Sequence, residues 1–147
     1  MSATKNIYVG VSLTQGYNMT WEEGNRPFSR MMTHGWTEDK EQDQLLHSYA
    51  SRSGNARCNG YGWSTSSELK DFDGRELPET IFVVIYCSGI YYNENRGCHE
   101  YGGGHGSWGV KAAFVDRERA EAFVKTKTEK WLWLWVIPTR RFTPTQS

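Results

Sequence analysis

Between residues 88 and 107 the chain reads SGIYYNENRGCHEYGGGHGS, which gathers Tyr91, Tyr92, Arg96, His99, Tyr101 and His105, with Trp108 directly after. Aromatic faces can stack on a heterocycle, Arg and His can meet phosphate through charge-assisted hydrogen bonds, and glycines let backbone N–H groups approach an anion. These seven residues are the expected ligand-binding set, and the chemistry they suit is that of a small anionic, nucleotide-like ligand. The structural alternative is a hairpin excursion whose tyrosines pack on a sheet.

Catalytic patterns in the same stretch are incomplete. Gly104-His105-Gly106-Ser107-Trp108-Gly109 spells G-x-G-x-x-G, but that fingerprint holds pyrophosphate only between a strand and a helix, and here a strand follows. No Gly run continues into G-K-[ST], which excludes a P-loop. Cys98, His99 and His105 are too few and too irregularly spaced for zinc unless Cys58 joins from a distant segment. A Cys98 nucleophile with His105 as base lacks an orienting third group and an oxyanion hole. Of the four histidines only His105-Gly106-Ser107 fits H-x-[ST], so a two-histidine phosphoesterase site is missing its second half. No catalytic residue, metal or cofactor is therefore expected.

The elements that must position this segment follow from periodicity. Ile7, Val9, Val11 and Leu13 alternate with smaller or polar residues, as in a strand with one buried face. A long connection spans 14–36, with a short helical turn expected after Pro27. Thr37 is expected to cap a helix in which Leu45 with Tyr49 and Leu46 with Ala50 share one face, and Glu38 and Asp39 suit its first turn. The Gly-, Asn- and Ser-rich segment 52–67 and the Asp73-Gly74 pair read as loop. Residues 81–87 (IFVVIYC) form a strand covered on both faces, and residues 108–115 form another. Asp116 is expected to cap a second helix with Ala120, Phe123 and Val124 inward and Glu121 paired with Lys125. The closing strand WLWLWVI sets Trp131, Trp133 and Trp135 on one face, and Pro138 is expected to end it.

The resulting order, β-α-β-β-α-β, predicts a single α+β domain over 1–147: a ferredoxin-like sheet with two helices on one face and long loop insertions. Its second face would be open, so the Trp131, Trp133 and Trp135 stripe is the expected interface for homo-oligomerisation. One tension accompanies this order, because it sends the two most apolar strands to the sheet edges, which are normally blunted by charge or Pro.

Composition narrows the partners. Seventeen basic and seventeen acidic residues balance, and aromatics make up 14% of the chain, so it is neither a disordered tail nor a polycation. Charge is uneven: residues 68–100 hold three basic and seven acidic side chains, and residues 111–147 hold eight and four. At zero net charge the generic grip on nucleic acid is weak, and RNP-type strings are absent, so nucleic acid is not an expected partner. Three irregularly spaced cysteines, no apolar leader and no stretch of about 20 apolar residues point to reduced thiols in a cytosol and to no membrane partner.

Residues 80–137, with TIFVVIYCSG, then GVKAAFVDRERAEAFVK, then an apolar strand, resemble a pattern met in small phage and prophage accessory proteins. The resemblance covers the last 60 or so residues and implies a setting, the bacterial host cytosol, where such proteins blunt host defences. The function expected is a non-enzymatic protein that antagonises defence by sequestering its ligand. The alternatives are an anti-CRISPR-like inhibitor docking on a host defence enzyme and a small hydrolase using His and Cys of residues 88–107.

Overall fold

The structure, a computed structural model, describes residues 4–13, 31–55, 61–88, 90–95, 98–101, 108–126 and 132–143. Its elements run β1 (Lys5–Leu13), β2 (Met31–Thr37), α1 (Lys40–Asn55), β3 (Tyr61–Leu69), β4 (Thr80–Ser88), β5 (Ile90–Asn93), β6 (Cys98–Tyr101), β7 (Trp108–Phe114), α2 (Arg117–Lys125) and β8 (Leu132–Arg140). Six strands make one mixed, curled sheet in the order β2-β1-β3-β7-β4-β8, and β5 and β6 form a separate two-stranded ladder.

The domain is α+β, as expected, but the ferredoxin-like order is not the one adopted, because α1 follows the second strand and precedes the third. Two strands lay in segments read as loop. β2 carries MMTHGWT, in which Met31 and Trp36 are buried. β3 carries YGWSTSSEL, a largely polar string whose Gly62 lies against the backbone of α1. A Cβ built on Gly62 would overlap the Ala50 carbonyl of α1, and one on Gly10 of β1 would come within 2.7 Å of Leu46 Cδ1. Glycine is thus what lets α1 lie close to the sheet.

The register shows two ββαβ units of the same design. Val9 pairs with Trp36 and Thr65 as Val83 pairs with Ala113 and Ile137. Val11 pairs with Thr33 and Trp63 as Ile85 pairs with Val110 and Trp135, and Leu13 with Met31 and Tyr61 as Cys87 with Trp108 and Trp133. Each unit has its β-bulge just after the first of these rows, between Val9 and Val11 and between Val84 and Ile85. In each, an Asp precedes the helix, Asp39 before Lys40 and Asp116 before Arg117. The first unit is β1-β2-α1-β3 and the second is β4-β7-α2-β8, with the β5–β6 ladder inserted between β4 and β7.

Two parallel seams join the units, and among the described residues each has one backbone bridge: Leu69 with Ala113, and Trp36 with Arg141. Rolling the sheet until its edges meet turns one face inward. Ile7, Val9, Val11, Leu13, Met31, Trp36, Leu69, Ile81, Val83, Ile85, Cys87 and Ala113 fill that interior, all fully buried, together with Trp135. The helices lie outside, where Ala120 of α2 packs on Val84, Ala112 and Phe114. β4 lies between β7 and β8, which explains why it is apolar on both faces, whereas β8 remains the last laddered strand and its outer edge meets β2 only at the second seam. Pro138 does not end the last strand, since it sits within β8 opposite Phe82. Proline is tolerated there because β8 has a laddered neighbour on one side only.

Capping also differs from expectation. Asp39, not Thr37, caps α1: its Oδ1 accepts the Glu41 N–H at 2.8 Å, while Thr37 Oγ1 accepts the Asp39 N–H at 3.1 Å. Asp116 occupies the N-cap position of α2 without a side-chain cap bond. The buried carboxylate of Asp71 fixes the approach to the helix, accepting the N–H groups of Val115 at 2.6 Å and Asp116 at 3.0 Å just before its first turn. Arg75 binds Asp71 and Asp116 together at 3.4 and 3.3 Å. Glu121 pairs with Arg117 at 3.1 Å, not with Lys125.

Candidate functional site

The strand directions give the molecule two unlike ends. At one, short connections run from β2 to α1, from β3 to β4 and from β7 to α2, and Phe72, Leu77 and Val115 pack against the core. This tied end also carries the Asp71–Arg75–Asp116 cluster, the Trp36 indole donating to the Glu79 carbonyl at 3.1 Å, and Arg141 stacked 4.2 Å over Trp36. At the opposite end β1, α1, β4 and α2 finish and β2, β3, β7 and β8 begin. Long connections at one end of a rigid scaffold are where binding residues concentrate.

The described members of the expected ligand-binding set lie in β5, β6 and the start of β7. Tyr91 and Tyr92 lie in β5, and His99 and Tyr101 lie in β6, with Tyr92 opposite His99, Tyr91 opposite Glu100 and Ile90 opposite Tyr101. The stretch is thus in part an antiparallel two-stranded ladder following β4, in line with the hairpin weighed as its structural alternative. Arg96 and His105 lie outside the described residues, as do Cys58 and Trp131. Trp108 opens β7 opposite Cys87, half-buried against the core.

What sequence reasoning missed is the partner of Trp108. Trp63, from β3 of the other unit, stacks on it with ring centroids 4.2 Å apart and planes inclined 30°. The signal was present in the Tyr-x-Trp of residues 61–63, which repeats as Trp-x-Trp at 133–135 in the same register place, but it was masked by the Gly and Ser around it. Close by, His47 of α1 accepts the Ser64 N–H at Nδ1, 3.1 Å away.

The tryptophans of β8 do not form an open stripe. Trp135 is 8% exposed within the core, and Trp133 is half-buried against it with its ring 6.0 Å from that of Trp135. The face expected to be free is the inward face of the curled sheet, closed by the first unit.

Other reactive-looking groups have structural surroundings. Cys87 is buried, and the loss of solvent pushes its thiol up to about 12, so it is no thiolate at neutral pH. Ser12 Oγ lies 2.7 Å from His34 Nε2, but Ser12 is fully buried beneath α1 and offers no nucleophile to solvent. Among the described residues no three His, Cys, Asp or Glu side chains gather as a metal site, and no helix is long and apolar enough to cross a membrane.

Compared with known protein families, curated proteins and solved structures, the chain matches none.

Proposed function

We propose that this protein is a non-enzymatic binder that sequesters a small anionic, nucleotide-like ligand at the loop end of its two-unit sheet. The observation that supports this most is the placement of Trp108, already marked by its sequence neighbourhood, in a stacked pair with Trp63 at the end from which the β5–β6 ladder departs. Half-buried indoles give a flat heterocycle a stacking surface at low entropic cost. Tyr91, Tyr92, Arg96, His99, Tyr101 and His105 supply phosphate and ring contacts from the same connection.

The phage-type setting in a bacterial cytosol, with antagonism of host defence as the outcome, rests on the resemblance of residues 80–137. Calorimetry against linear and cyclic nucleotides tests the reading. Saturable binding with the nucleotide recovered unchanged is the expected outcome, and turnover or the absence of heat with every member sinks it. A native mass spectrum of the same sample reads the subunit number of the homo-oligomer that the reading includes.

A further inference from the structure

Resting on the binding role above, we propose that the flat, uncharged part of the ligand, a nucleobase-type heterocycle, is held in the β3–β7 seam by Trp63, Trp108 and the facing edge of β3. On its other side β3 is laddered to β1 residue for residue, from Leu69 down to Tyr61. Towards β7 the single described pair is Leu69 with Ala113, followed by the Lys70 N–H to the Ala113 carbonyl at 3.0 Å. From there to the loop end, β3 presents peptide donors and acceptors to the seam without a described ladder. A side chain has taken up one of them, since His47 Nδ1 accepts the Ser64 N–H. Strand-edge groups left without a ladder are available to a ligand of matching edge chemistry.

The two indoles complete the slot. One comes from each unit, and they stack on each other across the seam beside the stretch of β3 without a described ladder, each keeping part of its surface exposed. A heterocycle offers both things this place can use: a π-face to stack on indole, and a rim of donors and acceptors for peptide groups. The equivalent places in the other seam are held by Trp135 and Met31, both buried, so the half-exposure of Trp63 and Trp108 is not required by the unit's own design.

The test is an NMR titration of the intact protein with the four ribonucleosides and their 5′-monophosphates. The expected result is that at least one nucleoside, having no phosphate, shifts the indole N–H signals of Trp63 and Trp108 and the amide of Ser66. Its monophosphate should add shifts in residues 90–101. Trp63→Ala should weaken nucleoside binding about tenfold, in line with the loss of one base stack; should that variant not fold, the wild-type shifts decide alone. Monophosphate shifts confined to residues 90–101 would overturn the slot and leave the binding role standing. No shift with any nucleoside or monophosphate overturns both.

Discussion

Gly62 carries a constraint that no other residue type can meet, because the Ala50 carbonyl occupies the space of its missing side chain. Gly62→Ala is expected to cost roughly 2–3 kcal/mol by overpacking, read as a lower urea midpoint at unchanged slope. Asp71 holds the tied end through two backbone N–H groups and Arg75. Asp71→Asn keeps the shape but replaces a charged acceptor and turns an amide donor toward one of those N–H groups, at an expected cost of about 2–3 kcal/mol. Cys87 makes a prediction of opposite kind. Its folded thiol is raised to about 12 from an ordinary 9.0, so its share of stability is whole below pH 9 and is lost as pH climbs toward 12. At pH 8 a thiol reagent should leave Cys87 unmodified in the native protein and modify it after unfolding.

At the scale of elements, legibility followed how strongly one face dominated the pattern. β1, β4, β7 and α2 could be read because alternation or a helical stripe survives in their side chains, and Ala120 and Phe123 do face the sheet. β3 could not, because where α1 comes within backbone reach of the sheet at Gly62 the residue beneath it must be small and resembles a turn residue; β2 could not, because Thr33, His34 and the positive-φ Gly35, which lies against Phe142, interrupt its alternation. Of the candidate site, Trp108 and the β5–β6 tyrosines were legible as chemistry, but the Trp63 contact spans 45 positions of sequence and appears only once the units are docked. The joint between β2 and α1 brings a prediction of its own. Glu38 bonds Lys5 at 3.1 Å and Arg141 at 3.4 Å, and chiefly the Lys5 hydrogen bond holds its carboxyl below the ordinary 4.5. Its contribution is present above pH 4.5 and lost as pH falls through the lower folded value. Glu38→Gln should therefore lower the thermal midpoint at pH 7 and change it little below the folded value, so that the acid-side drop shrinks.

At the scale of the molecule, two units share one interior and neither could keep it dry alone. A chain divided between Asp73 and Gly74, in the turn where both residues have positive φ, should yield fragments 1–73 and 74–147 that copurify when expressed together. Either fragment alone should aggregate, since Ile7, Val9 and Val11 on one side and Val83, Ile85 and Trp135 on the other would face water. Recovery of a folded lone fragment would show that the shared interior is not what holds the sheet in its curl.

The matched register also gives the paired strand positions of each unit a counterpart in the other. Met31 stands where the second unit has Trp108, and Leu134 stands where the first has Gly62. A property that one copy has and its twin lacks cannot be a demand of the shared architecture. Evolution has in this sense run a paired experiment within a single polypeptide, and exchanging twins, Met31 for Trp and Trp108 for Met, separates what folding asks from what recognition asks.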